Sequence, residues 1–239
     1  KPFASTFAIF TERAFEQIRN GVARPNLPVH ICGSHGGTHT GTDGSSAQSI
    51  EDLAIYRTLP NMTVMHPCDD VSAAELTRQC LDLTGPSYMR TARNKTMVLH
   101  ENRIDDVKIG KGIVLRDGSD VCIIACGVLV AKALEAAEKL AGDGIEASVV
   151  DMHTLKPLDG DLINRMVAST GCVVSAEDHS IIGGLGGAIA EHLSSNHPVP
   201  LERVGVKDRF GESGQAEEML DLLGLNTGDI IEAAHKAIS

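Results

Sequence analysis

Val29-His30-Ile31-Cys32-Gly33-Ser34-His35-Gly36-Gly37-Thr38-His39-Thr40-Gly41-Thr42-Asp43-Gly44-Ser45-Ser46-Ala47-Gln48 reads as a short apolar strand running into a long polar loop. Between Gly33 and Ser46 five glycines stand among Ser, Thr, His and Asp, a composition that cannot pack a core. A helical pattern from about Ser49 to Leu59 follows. A strand, a loop leaving its carboxyl end and a helix make the first half of a βαβ unit, and in open α/β sheets ligands bind outside that end of the strands. The loop offers two imidazoles, His35 and His39, the Asp43 carboxylate, and glycines that let backbone approach a ligand closely. The same residues also suit a plain surface loop, so taken alone they leave both readings open.

Outward from this loop, strand-like runs alternate with helical patterns along almost the whole chain, which predicts an α/β protein with mostly parallel sheets. Before the loop, Phe7 to Asn20 is expected to be one helix ended by Gly21. After it come a strand at Met62 to His66, a helix from Asp69 to Leu83 with Asp69 or Asp70 as N-cap, and a strand at Ser87 to Arg90. Arg93 to Gly110 is polar and non-periodic and reads as a linker. Beyond it, strands are expected at Ile113 to Leu115, Val121 to Ala125, Ile145 to Val150, Cys172 to Ser175 and Leu201 to Val206. Helices are expected at Val128 to Ala141, Asp159 to Ala168, Gly184 to Ser195, Ala216 to Leu223 and Thr227 to Ile238. The division is therefore residues 1–106 and 107–239, two doubly wound sheets. The first unit is expected to be partial, with only three strands and a helix at its very start.

Composition narrows the classes. With 42% hydrophobic and 22% charged residues, the chain of 239 residues is ordinary globular material rather than a disordered or disulfide-stapled one. Its longest apolar runs are strand-sized, so no membrane span is expected. A net charge of −11 opposes attraction to phosphate backbones and argues against nucleic acid. Six scattered cysteines with no CxxC pair suit buried thiols in a reducing cytoplasm, and no metal ligands are assigned. The start at Lys1, with no initiator Met, is expected to be a truncation, and four of the five Phe fall in the first fifteen residues. Other candidate motifs are Arg90 and Arg93 at a strand end, suited to a phosphate. Glu177-Asp178-His179 is expected to serve a structural hydrogen-bond network. Gly183-Gly184-Leu185-Gly186-Gly187 is expected to be a closely packed helix start, not a dinucleotide loop, because Ile189 stands where a third small residue belongs.

Lys1-Pro2-Phe3-Ala4-Ser5-Thr6-Phe7-Ala8-Ile9-Phe10, Gly33-Ser34-His35 through Asp43-Gly44, Ser49-Ile50-Glu51-Asp52-Leu53-Ala54, Arg90-Thr91-Ala92-Arg93, and Asp151-Met152-His153-Thr154-Leu155-Lys156-Pro157 resemble transketolase in order and spacing. The resemblance spans nearly the whole chain: the pyrimidine-binding domain from its middle onward and the C-terminal domain, as in the C-terminal subunit of a split transketolase. It implies thiamine diphosphate chemistry, in which a ketose C2–C3 bond breaks and a two-carbon unit passes to an aldose. By the same resemblance Phe7, Phe10 and Arg13 bind the cofactor's pyrimidine side, and His35 bonds sugar hydroxyls. Asp43 reads the acceptor's hydroxyl and Arg93 its phosphate. His39 and Gln48 are further candidates for the site. Ala47 departs from the family, which commonly has His or Gln there; Thr42 replaces a common glutamate.

The family's activating glutamate and its diphosphate site, with Mg²⁺ or Ca²⁺, are expected to lie outside these residues. The resemblance thus implies an N-terminal partner subunit, a dimer of such pairs, sugar phosphate substrates, and no activity for this chain alone. Two alternatives stay open at this point: a β component of a 2-oxoacid dehydrogenase, and a non-catalytic assembly subunit.

Overall fold

In the computed structural model, which describes residues 1–239, the apolar runs become strands of two mixed, mostly parallel sheets. The first holds β1 (Phe3–Phe7), β2 (His30–Ser34), β3 (Thr63–Met65), β4 (Ser87–Arg90) and β8 (Thr154–Lys156), in the order β1-β2-β4-β3-β8. The second holds β5 (Ile113–Arg116), β6 (Val121–Ala125), β7 (Ala147–Asp151), β9 (Val173–Ser180) and β10 (Leu201–Val206), in the order β10-β9-β6-β7-β5. Val121-Cys122-Ile123-Ile124-Ala125 is apolar throughout because β6 lies between β7 and β9 and is buried on both faces.

The helices are α1 (Ala8–Arg13), α2 (Phe15–Ile18), α3 (Asp52–Arg57), α4 (Asp70–Gln79), α5 (Leu129–Gly142), α6 (Gly160–Thr170), α7 (Leu185–Asn196), α8 (Ala216–Leu223) and α9 (Thr227–Ile238). Helix α4 starts where expected: the Asp69 carboxylate accepts from the Ser72 amide in a capping box. Helix α5 buries Leu129, Val130, Ala133, Ala136, Ala137 and Leu140 on one face against the second sheet. No helix is long and apolar enough to cross a membrane.

Three expectations are corrected. The chain does not open on a helix: Phe3–Phe7 is a strand, and the helix expected over Phe7 to Asn20 begins at Ala8, breaks at Ala14 and ends in a π turn at Arg19–Ala23. Strand β1 lies at the sheet edge, almost wholly exposed, so it lacks the apolar alternation that marks a strand in sequence. The first sheet has four strands of its own rather than three, and a fifth, β8, crosses over from the second unit to pair antiparallel with β3, Met65 opposite Thr154. Strand β9 runs on to Ser180, taking in Glu177-Asp178-His179.

The two units are not independent bodies. One hydrophobic cluster runs from Leu53, Tyr56, Val64 and Tyr88 of the first to Ile124, Met152, Leu155 and Ile163 of the second. That shared core fixes how the loop Gly33–Gln48 meets the C-terminal unit.

Candidate active site

Parallel register sets the site. Phe7, the last residue of β1, pairs with Ser34, the last of β2, while Gly33 pairs with Arg90, the last of β4. The next residues of each strand therefore leave the sheet side by side at its carboxyl edge. Here the His35 ring stacks on Phe7 with centroids 3.8 Å apart and planes 13° apart, and Phe7 lies nearly parallel to Phe10 at 5.5 Å. Phe10 is 57% exposed, so the stack presents an open aromatic face. His35 itself takes a left-handed backbone, φ 58°, unusual for a residue with a side chain. Its Nδ1 lies 3.0 Å from the Ser34 hydroxyl, and Thr40 donates to its carbonyl. Burial lowers the pKa of His35 below the ordinary histidine value, with Asp43 pulling the other way and Arg93 adding to the depression. The imidazole is thus neutral near pH 7, able to donate on one nitrogen and accept on the other.

At the rim, Arg93 Nε lies 3.2 Å from Asp43 Oδ2, both side chains about a third exposed. The structure therefore brings Phe7, Phe10, His35, Asp43 and Arg93 to one sheet edge. Arg13, in the last turn of α1, is exposed and forms no ion pair. His39 and Gln48, the two further candidates, both turn toward the C-terminal unit. The His39 backbone amide donates to Asp178 Oδ2 at 2.9 Å, and its ring lies 3.8 Å from Glu217 on α8. Gln48 is buried and donates through Nε2 to the carbonyls of Gly41 and Glu212. With that amide spent, no polar side chain at 47 or 48 faces the aromatic stack.

Behind the edge lies a buried polar weld. Asp178 accepts from the Thr38 amide and hydroxyl at 2.8 and 2.6 Å and from the His39 amide. Arg90, wholly buried, donates to the carbonyls of Asp178 and Ser49 and pairs with Asp52 at 2.9 Å, while the Tyr88 hydroxyl donates to Asp52 at 2.6 Å. Arg90 thus supports the strand end rather than opening to a ligand. Gly36 and Gly37 are required by this weld: a Cβ at 36 would strike the Arg90 side chain, and one at 37, where φ is 80°, the Asp178 carboxylate. The remaining two members of the 177–179 run also bond to backbone: Glu177 caps the first turn of α7 through the Leu185 and Gly186 amides, and His179 accepts from the Ala54 amide through Nε2 while its Nδ1 lies 2.6 Å from the Ser180 carbonyl.

Glu12 was not singled out in the sequence. It sits on α1 and accepts from the Ser49 hydroxyl, and burial raises its pKa to about 7, with Glu51 and Asp52 adding to the effect. Asp178 reaches the loop from 140 residues away, a pairing no local signal discloses.

Residues 1–98 match the pyrimidine-binding domain of transketolase, and residues 110–230 match the transketolase C-terminal domain. This chain belongs to the transketolase family. Among relatives, a transketolase C-terminal section from Methanocaldococcus jannaschii is 46% identical over 227 residues, 94% of this chain and 71% of that one. The 6-deoxy-6-sulfo-D-fructose transketolase subunit SqwH of Clostridium sp. strain MSTE9 is 42% identical over 236 residues, 98% of this chain and 73% of that protein. A solved split-gene transketolase, described as an inactive β4 tetramer, superposes with a TM-score of 0.92 at 45% identity, covering 99% of this chain and 76% of the other. Within the family, then, this chain resembles proteins whose transketolase is divided between two genes.

Proposed function

We propose that this chain is the C-terminal subunit of a two-subunit transketolase that moves a two-carbon ketol unit from a ketose phosphate to an aldose. A separate N-terminal subunit would carry the diphosphate and its Mg²⁺ or Ca²⁺, and the working enzyme would be a dimer of such pairs. The observation that carries this is the register-aligned edge, which sets the Phe7–His35 stack beside Asp43 and Arg93.

Those residues fit the group the family uses. Parallel, part-exposed phenyl rings offer a flat apolar face to an aminopyrimidine, and such ring contacts are worth roughly 0.5–1.5 kcal/mol beyond burial. Thiamine diphosphate supplies, when bound, the electron sink that C–C bond cleavage needs. Phe7 and Phe10 hold its ring, with Arg13 one turn on. Neutral His35, its Nδ1 steadied by Ser34, keeps Nε2 for a sugar hydroxyl. Asp43 reads the acceptor hydroxyl beside the reacting carbonyl, and Arg93 takes the distal anion. Asp43 and Arg93 are paired with each other, but a solvent-exposed pair is worth only about 0.2–1 kcal/mol, so substrate separates them cheaply. The distal anion is a phosphate, or a sulfonate like that in the Clostridium relative's name.

Alone the chain is inactive in this reading, since none of its residues takes the role of the acid serving the pyrimidine. A cytoplasmic location accords with its six unpaired cysteines. The test is to combine it with its partner subunit, thiamine diphosphate and Mg²⁺, and to assay two-carbon transfer across ketose donors and aldose acceptors bearing phosphate or sulfonate. Transfer is expected only from the pair; silence across the whole panel refutes the reading.

A further inference from the structure

Away from the sheet edge, a second cluster joins both units and the segment between them. Cys68 follows β3, His100 lies in the connecting segment, and Asp151 ends β7; all three side chains are buried. Cys68 Sγ is 3.4 Å from Asp151 Oδ2, and His100 Nε2 is 3.3 Å from the same oxygen. One ligand atom from each of the three residues falls within 4.8 Å of the others. His100 Nδ1 lies 3.2 Å from Asp69 Oδ2, an oxygen that also accepts the Leu99 and His100 amides. That carboxylate holds the ring through Nδ1, which also lies 3.5 Å from Cys68 Sγ.

What remains is unsatisfied. His100 Nε2 and Asp151 Oδ1 have no hydrogen-bond partner although both are fully enclosed. Unpaired buried polar atoms are costly, and these sit in a cluster where an imidazole, a carboxylate and a thiol are all enclosed together. A carboxylate on one imidazole nitrogen, with the other facing further ligand-type atoms, is the arrangement that orients metal-bound histidines; here Nε2 faces the Asp151 carboxylate without an aligned hydrogen bond. Zinc bonds of roughly 2.0–2.3 Å to N, O and S in tetrahedral geometry give ligand separations of roughly 3.3–3.5 Å, which the two measured approaches to Asp151 Oδ2 match.

We propose that Cys68, His100 and Asp151 form a binding site for a zinc-class divalent ion, with Asp69 positioning the imidazole. Uptake breaks the Cys68 S–H bond, forms the metal–thiolate bond and releases the proton to solvent. Thiolate and carboxylate then neutralise the ion, so no net charge is left buried by the three ligands. Two cavities of about 440 and 490 Å³, both lined in part by Lys95 and Thr96, reach Cys68 and offer an approach from solvent to its side of the cluster. A thiolate among the ligands selects zinc-class ions over Mg²⁺ or Ca²⁺.

The test is refolding of the full chain with one equivalent of Co²⁺. One ion per chain, a thiolate-to-cobalt charge-transfer band and tetrahedral visible bands are expected. They should be lost in Cys68→Ser, kept in Cys32→Ser, and titrate with an affinity about 10–100-fold weaker in Asp69→Asn, which retains a helix-capping side chain. X-ray absorption on the unaltered chain loaded with Zn²⁺ needs no variant: a sulfur neighbour at about 2.3 Å is expected. No stoichiometric uptake, a shell of nitrogen and oxygen only, or an unchanged cobalt spectrum in folded Cys68→Ser overturns the proposal and leaves the cluster a hydrogen-bond network.

Discussion

The loop Gly33–Gln48 has two sides built on opposite terms. Toward the C-terminal unit every polar group of the weld is enclosed: Asp178 takes the Thr38 and His39 amides, Arg90 takes two carbonyls and Asp52, and Gln48 bridges to Glu212. Toward the carboxyl edge of the sheet the same loop offers exposed or half-exposed groups, Phe10, His35, Asp43 and Arg93, held by a ring stack and one surface ion pair. The difference teaches where precision comes from. A buried hydrogen-bonded charge has one low-energy arrangement, because any other leaves it unpaired in a poor dielectric. The open side can then stay uncommitted until a ligand covers it, while its backbone is already placed.

Breaking the enclosed side should cost most. Arg90→Ala leaves Asp52 buried and uncompensated and strips two carbonyls, so denaturant unfolding should show a loss of about 3–5 kcal/mol. A cost below about 1 kcal/mol would mean that the weld does not hold the loop. On the open side, Arg93→Ala should leave folding within about 0.5 kcal/mol of the parent. In the assembled enzyme it should raise KM for anionic sugars by roughly 10–150-fold, the range of a 1.5–3 kcal/mol charge-assisted bond, with much less change for a neutral aldose. Equal losses for charged and neutral acceptors would remove Arg93 from anion recognition.

Glu12 sits on the seam between the two sides, and its effect is legible in pH. Its folded pKa of about 7 lies above the unfolded value of 4.5, so its contribution to stability is fully present below about 4.5 and is lost as pH rises to about 7. Glu12→Gln should therefore match the parent near pH 4.5 and become more stable by about 1–2 kcal/mol above pH 7, after allowance for solvent screening. Thermal melts of both proteins at pH 5 and 8 check the sign; a pH-independent difference contradicts it. The smallest effect belongs to the aromatic face. Phe7→Ala should weaken thiamine diphosphate binding to the subunit pair by roughly 2–10-fold in calorimetry, the worth of one ring contact, and unchanged affinity would favour a purely assembling role.

Much of this could be read from residues in order, and some could not. Strands such as Val121–Ala125 and helices such as Thr227–Ile238 are local facts of patterning and capping, and they appear where expected. Edge strand β1 and crossover strand β8 escaped because pairing partners, not their own composition, make them strands. The residues of the sheet edge were legible because they flank strand ends in one direction along the chain. The direction in which His39 and Gln48 face was not legible, because the side a loop residue faces depends on what docks against it, here Asp178, Glu212 and Glu217.

By itself the sequence determined the α/β class, the family, the position of most elements and the identity of the groups at the sheet edge. Hydrophobic periodicity and strand-end motifs are short-range, and a linear reading sees short range. Only the tertiary structure decided that the two units share one core, which groups Arg90 braces at its strand end, and that Cys68, His100 and Asp151 meet. Burial and pairing are properties of space, and they decide which polar group is fixed, which is free and which still lacks a partner.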